Sequence, residues 1–317
     1  MLKRLVADLP SGLPAAVCIV LHMAPSSPSA LAGILQRSGP LRCRFAGDDE
    51  PLNEGEIVVA PPDHHLVVVD GRLRLTAGPR ENGHRPAVDV LFRSAAQARG
   101  SRVLGVVVSG TRDDGAAGLA VIKAAGGAAV VQKPEDALYP GMPTSALANV
   151  AVDAVVPSAL IGETIAAIVK GEQLPQGADE HVPPQDPGAG ERLTSVCPEC
   201  GGVLTEKHEA GMPYWECHVG HRYSPTSFAD AQAEGVEAAL WTAVRALRDR
   251  GAVLRRMAEQ FEGRSQSRSA RRFRRQSEEA YRQAEVVREA LAEAAATTLA
   301  KLPEAGDEFA ATTKGRA

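Results

Sequence analysis

The sequence predicts an α/β sandwich built on parallel strands, followed by a small cysteine-bearing module and a pair of long helices. Three observations carry that expectation. Residues 103–108 are an apolar run without polar alternation, as in a parallel strand covered on both faces, and a polar turn at 109–115 precedes a helical stretch at 116–125. Apolar strand-like runs alternate with helix-like runs up to about residue 170. From Phe228 onward, apolar residues recur at three- and four-residue steps, the signature of helices that bury one seam.

Composition sets the outer bounds. A length of 317 residues allows two domains or one domain with appendages, and 44% hydrophobic residues suffice for a real core. Only 4% are aromatic, so aliphatic side chains must do most of the packing. A net charge of −4 gives no general drive toward nucleic acid or membrane. No apolar run approaches the ~20 residues of a membrane span, and no signal peptide precedes Lys3 and Arg4, so a cytoplasmic protein is expected. Five unevenly placed cysteines argue against a secreted disulfide scaffold.

In chain order, residues 1–9 form an amphipathic segment with Leu2, Leu5 and Val6 on one side and no N-cap residue, a helix that looks cut rather than begun. Residues 15–21 read as a buried strand with His22 at its carboxyl end, and 27–37 as a helix capped by Ser27 with Pro28 in its first turn. Short strands follow at 42–46 and 56–60. Asp70-Gly71 between 66–69 and 72–75 is a strong hairpin signal. Residues 87–99 are helical and stop at Gly100. After the central strand and its helix come a strand at 128–132, a helix from about 144, a strand at 152–156 and a helix ending near Lys170. The α/β domain thus spans 1–170. Residues 171–192 carry four prolines and four glycines and read as a flexible linker. The cysteine module occupies 193–225 and a helical hairpin 226–301, with apolar positions Val236, Leu240, Val244, Leu247, Leu254, Met257 and Phe261 facing Phe273, Ala280, Ala284, Val287 and Leu291. A disordered tail is expected at 302–317.

His22 and Asp114 are far apart in sequence, yet each follows a buried strand at its carboxyl end, where open α/β folds bind ligands. Imidazole beside carboxylate is two thirds of a nucleophilic triad, because the acid fixes the tautomer and supports the imidazolium. The plainer alternative is that Asp113 and Asp114 cap the helix behind them.

The motifs VLHMAP (20–25), VVAPPDHHL (58–66), RPAVDVLFRSAA (85–96), SGTRDDGAAGL (109–119) and KAAGGAAVVQKPEDALYPGMPTSAL (123–147) occur in this order. Together they resemble the catalytic domain of the chemotaxis protein-glutamate methylesterase (CheB-type) family over residues 1–169. The resemblance implies a doubly wound domain that hydrolyses γ-glutamyl methyl esters on chemoreceptors, without a cofactor for the esterase. It implies His22 as the triad histidine, Asp114 as the triad aspartate and Thr111 as the site of an oxyanion-hole N–H, with His65 and Met142 lining the cleft. The family's serine lies in a glycine-rich turn after its first strand, which in this numbering falls before Met1. Ser11, Ser26, Ser27, Ser94 and Ser109 are not in that motif, and Cys18 sits within a buried strand. Without the first parallel strand, a neighbouring strand edge should be exposed. Losing a triad serine costs on the order of 10⁶ in turnover, as in subtilisin, so the chain as written is expected to be nearly inert. Either the chain start is placed too late, the favoured reading, or the domain has become a noncatalytic signalling adaptor. The family's receiver domain has no counterpart here either.

Cys197-x2-Cys200 and Cys217-x3-His221 have the spacing of a tetrahedral Zn²⁺ site, and Gly201-Gly202 permits the tight knuckle. His218 competes with His221 for the fourth place. A closed site of this kind is structural, and similar zinc-ribbon tails accompany some methylesterase-like proteins. The linker suggests a module that folds apart from the esterase chemistry. Residues 263–275 hold six arginines and no acid, which is read as a solvated turn and helix start in preference to a nucleic-acid surface.

Overall fold

Runs of buried valine and isoleucine place parallel strands at the centre of the N-terminal part, as a two-sided sheet requires. The computed structural model describes residues 1–25, 29–183 and 195–299, with side chains of the last helix described to residue 292. The order begins α1 (Leu2–Asp8), β1 (Val17–Ile19), α2 (Leu31–Gln36), β2 (Arg42–Phe45), β3 (Glu50–Pro51) and β4 (Glu56–Val59). It continues β5 (His65–Val69), β6 (Arg72–Thr76), α3 (Val88–Arg99), β7 (Leu104–Val107), α4 (Ala116–Ala124), β8 (Ala128–Gln132) and α5 (Gly141–Asn149). Then come β9 (Val152–Val156), α6 (Ile161–Lys170), β10 (Asp179–His181), β11 (Leu204–Glu209), β12 (Met212–Cys217) and β13 (Arg222–Tyr223). Two long helices close the chain, α7 (Pro225–Gly263) and α8 (Ser267–Leu299).

Strands β1-β4-β2 form one parallel sheet, and β7, β8 and β9 form another with β10 antiparallel at its edge. Side chains alternate along β8: Val130 enters a core with Ile19, Ile57 and Val59 beneath α1 and α6, whereas Ala129 and Val131 enter a second core with Leu119, Ile122 and Ala146. Helices therefore cover both faces, the doubly wound arrangement. β1 and β7 each lie at the end of their own sheet. The β5–β6 hairpin turns at Asp70 and Gly71, both with positive φ, and β3 pairs with β6 as an unforeseen third strand.

Several boundaries differ from expectation. The helix expected at 27–37 is confined to Leu31–Gln36, and Ser26, Ser27 and Pro28 lie outside the described residues. The helix expected from 144 starts at Gly141, because the Met142 N–H is drawn to Gly110 O at 2.8 Å. The stretch expected as a linker carries β10, whose His181 Nε2 bonds Leu147 O at 2.7 Å. Its residues 184–192 and the tail at 302–317 lie outside the described residues.

The chain divides into two compact units, Met1–Ala231 and Gln232–Ala317. The second contains most of α7 and all of α8, paired antiparallel: Ser277 Oγ donates to Gly251 O at 2.7 Å, Arg248 meets Glu285 at 2.9 Å, and the Phe261 and Phe273 rings stack near the turn. Val244, Gly251 and Ala258 on one helix and Ala270, Ser277, Ala284 and Leu291 on the other are buried at seven-residue steps. Small residues at those steps let the helices approach closely, and a Cβ at Gly251 would lie 2.9 Å from the Tyr281 ring. Val236, expected in the seam, is 58% exposed. The arginines of 263–275 are exposed around the turn, where Ser265 takes a positive φ. Among the described residues no helix is long and apolar enough to cross a membrane.

Candidate functional site

His22 and Asp114 meet. His22 Nε2 lies 2.6 Å from Asp114 Oδ2, the carboxylate almost wholly buried and the imidazole one-fifth exposed. The loop after β1 and the turn after β7 carry these side chains to the same place at the strands' carboxyl ends. A carboxylate on Nε2 keeps the proton there and leaves Nδ1 as the basic ring nitrogen. Among the described residues the hydrogen-bond partner of this ring is Asp114.

The helix-capping alternative fails for the helix to which it was assigned. The residue before α4 is Gly115, whose φ of +98° suits glycine, and the helix receives no side-chain cap from its own turn. Instead Asp89, from the first turn of α3, accepts from Gly115 N at 3.0 Å and Gly118 N at 2.6 Å. Asp114 accepts from Val88 N at 2.7 Å and Asp89 N at 3.1 Å, at the start of α3. Each helix is capped by the other's acid, and each carboxylate sits at a positive helix end. Gly118 permits this approach, since a Cβ there would meet the Asp89 backbone at 3.0 Å. Asp113, expected as a cap, accepts from Ser227 Oγ at 2.5 Å instead.

Asn82 completes the cluster. Its Nδ2 donates to Asp89 Oδ2 at 3.0 Å and Asp114 Oδ1 at 3.3 Å, while its Oδ1 accepts from Ser224 N at 2.9 Å. Burial pushes the Asp114 carboxyl up, but the His22 hydrogen bond and charge and the Val88 and Asp89 N–H groups outweigh it and hold Asp114 below the usual carboxylate range. Burial and the Asp114 charge drive Asp89 the other way, well above that range. The His84 ring stacks on His22 with centroids 3.7 Å apart and planes 6° from parallel. Burial, then the His22 charge, lower its pKa to about 4, and its buried Nε2 has no partner among the described residues. Sequence reasoning missed both residues. The Asn82-Gly83 pair is a legible turn signal, with positive φ at both positions, but nothing in it points to Asp114.

Thr111, Met142 and His65, expected around the pair, differ in exposure. Thr111 is exposed in the same turn as Asp114. Met142 is buried beneath that turn, its Sδ occupying the space where a Cβ at Gly110 would stand. His65 is buried, with Nε2 on Pro79 O at 2.9 Å and Nδ1 accepting Ala87 N at 3.2 Å, so both ring nitrogens are engaged in holding the 77–87 loop. Burial pushes the Cys18 thiol up to about 12, leaving it protonated near neutrality.

Cys197, Cys200, Cys217 and His221 converge, one ligand atom from each lying within 4.8 Å of all the others. Cys200 and Cys217 sulfurs are 3.6 Å apart, and His221 Nδ1 is 3.7 Å from Cys197 Sγ and 3.6 Å from Cys217 Sγ. A tetrahedral zinc site with metal–sulfur bonds of about 2.3 Å and metal–nitrogen bonds of about 2.0 Å has edges of about 3.8 and 3.5 Å, so the cluster fits such an ion. His221 Nε2 lies 3.3 Å from Glu199, the carboxylate–histidine pairing that orients metal-binding imidazoles. Burial pushes the Cys217 thiol up, but the N–H groups of His221 and Val219 and the neighbouring Cys200 and His221 bring it down to about 6, favouring thiolate. His218 is exposed and lies against Gly202, outside the group of four.

A module standing apart was expected, but this one packs on the 80–93 segment within the same unit. Asn82 N donates to Arg222 O at 2.8 Å, and Arg222 N to Arg80 O at 3.4 Å. Arg93 pairs with Glu81 at 2.7 Å and reaches Glu209 at 3.6 Å, and Arg222 joins Glu209 at 2.8 Å.

Comparison with known proteins places this geometry. The profile of the CheB methylesterase family matches residues 1–165. The chain is 34% identical over 176 residues to protein-glutamate methylesterase/protein-glutamine glutaminase 2 of Methanosarcina acetivorans, covering 53% of this chain and 49% of that protein. It is 40% identical over 167 residues to protein-glutamate methylesterase/protein-glutamine glutaminase 3 of Anaeromyxobacter dehalogenans, covering 52% and 49% respectively. The crystal structure of the Thermotoga maritima CheB methylesterase catalytic domain matches with a TM-score of 0.51 and 30% identity, over 53% of this chain and 90% of that one. The chain thus spans about half the length of the curated relatives it matches.

Proposed function

The chain belongs to the CheB methylesterase family, and on that premise we propose that it serves chemotaxis-type signalling as a protein-glutamate methylesterase, removing methyl groups from glutamyl esters of a methylated chemoreceptor or similar signalling protein in the cytoplasm. The observation that carries this reading is the 2.6 Å contact between His22 and the buried Asp114 carboxylate. In the proposed reaction a serine oxygen attacks the ester carbonyl and His22 Nδ1 takes its proton. That proton passes to the departing methanol, and water then cleaves the acyl-serine to free the glutamate. Asp114 steadies the imidazolium throughout, and the turn bearing Thr111 supplies an N–H to the developing oxyanion. Among the described residues no serine is bonded to His22. The cysteine cluster holds one structural Zn²⁺ through Cys197, Cys200, Cys217 and His221. Nucleic acid has no role in this reading, the arginines at 263–275 forming a solvated turn.

One observation favours a second reading, a noncatalytic signalling adaptor: no nucleophile among the described residues is bonded to His22. Sequencing upstream of Met1 separates the two, since a stop codon with no glycine- and serine-rich turn leaves only the adaptor. If the turn is there, the extended chain should release methanol from methylated receptors, and Asp114→Asn should cost about 10⁴ in turnover through the wrong imidazole tautomer. Equal release by both proteins would remove His22 and Asp114 from the mechanism.

A further inference from the structure

One amide joins the metal-ligating cluster to the His22–Asp114 pair. Asn82 Oδ1 accepts from Ser224 N, and this bond turns Nδ2 toward the two buried carboxylates. The opposite amide orientation would set an oxygen against Asp89 and Asp114. Ser224 follows β13 directly and lies three residues after the ligand His221. The backbone N–H of Asn82 is itself bonded to Arg222 in β13. The core holding β13 in place is small: Cys197, Leu204, Cys217, Tyr223 and Phe228, two of the five being metal-ligand cysteines. A core of that size draws part of its folding energy from the metal it holds.

We propose that the metal-loaded module is the positioning brace of the His22–Asp114 pair: the ion fixes His221 and β13, β13 fixes Ser224 and the Asn82 amide, and Asn82 holds the Asp114 carboxylate against His22. Asn82 is a positioning residue, acting through Asp114. The inference rests on the zinc and catalytic readings above, but its test needs no ester cleavage, so its failure is distinct from theirs.

The test follows the proton between His22 Nε2 and Asp114 by NMR in the full chain labelled with ¹⁵N-histidine, assigned by its loss in His22→Gln. The ring is faced by Asp114 and by His84, on which the Arg112 and Arg80 charges also act. In the zinc-loaded chain this proton should be observed and exchange slowly with water. Removing the metal with a chelator should speed its exchange by about 5- to 150-fold, the range of a typical coupling free energy, and added Zn²⁺ should restore it. Coupling between equilibria runs both ways, so breaking the brace from the catalytic side should also weaken zinc binding. Asn82→Asp tolerates the +54° φ and keeps the acceptor for Ser224 N, but replaces the donor with a third carboxylate. Glu209→Gln loosens the docking through Arg93 and Arg222, away from Asp114. Both variants should lose zinc to a competing chelator more readily than the parent. A His22 proton that exchanges at the same rate with and without metal, while the metal is fully removed, overturns the proposal. So do both variants holding zinc at parental affinity. If chelation also erases the amide signals of β8, the affinity of Glu209→Gln decides. A chain that binds no zinc refutes the metal reading and this inference together, leaving the esterase reading intact.

Discussion

At the residue scale, His84 illustrates what the stacked pair does to stability. Its pKa in the folded protein is lowered to about 4, against an ordinary value near 6.5, so folding favours the neutral ring. Stability from this group is complete above about pH 6.5 and declines as pH falls toward 4. His22, Asp114, Arg112 and Arg80 are the charged or titratable groups acting on it, and all but Asp114 oppose a second positive charge. His84→Phe keeps a flat ring on His22 and cannot protonate, so its melting temperature should fall less steeply than the parent's between pH 6.5 and 4. An identical slope would exclude His84 as the source. Asp113 and Ser227 offer a contrast. Asp113→Asn keeps an acceptor for the buried Ser227 hydroxyl and should alter thermal stability little, whereas Asp113→Ala strands that hydroxyl and should cost about 1–3 kcal/mol by denaturation. His22 and Asp114 were legible because each follows an apolar run whose period marks a strand. Asn82 and His84 lie in a loop without periodicity, and their partners are distant in sequence, so no local signal reveals them.

Among the elements, the exchanged caps of α3 and α4 make two helices depend on one pair of acids. Asp89→Ala removes the acceptor for Gly115 N and Gly118 N at the start of α4 and should destabilise the first unit by at least the ~1 kcal/mol of an ordinary cap. Its buried partners are then left unsatisfied, so denaturant unfolding should report a value above that floor. The hairpin of α7 and α8 depends on the absence of a side chain at Gly251. Gly251→Ala gains helix propensity at an open site, yet here the added methyl meets the Tyr281 ring at 2.9 Å. Net loss of stability in the helical fragment, by circular dichroism melting, is the expected sign. The seam itself was only half legible. Reading by large apolar residues included Val236 and overlooked Gly251, Ala258, Ala270 and Ser277, because small residues carry little hydropathy while deciding how close two helices come. The parallel strands fared better, β8 and β9 matching their expected limits, since each is a short stretch rich in alanine and valine that follows the end of a helix and stops at a polar residue or a proline.

For the whole molecule, the proline-rich stretch before the cysteines argued for separate parts, while the structure puts the cysteine module and the α/β domain in one unit. That association rests on ion pairs and backbone bonds between segments more than a hundred residues apart, which no periodicity encodes. Zinc at about 100 times its dissociation constant should stabilise the first unit by about 2.7 kcal/mol relative to the chelated chain, read by denaturant unfolding. The helical hairpin should keep its circular dichroism in chelator, its seam being formed within the second unit. The bond from Ser224 to Asn82 spans 142 residues, and this separation bears on how the protein is made. Ribosomes add about 5–20 residues per second, so the Ser224 donor leaves the ribosome roughly 7–30 s after its acceptor. The last strand of the cysteine module therefore reaches the cluster after His22, Asn82, Asp89 and Asp114 have all been synthesised.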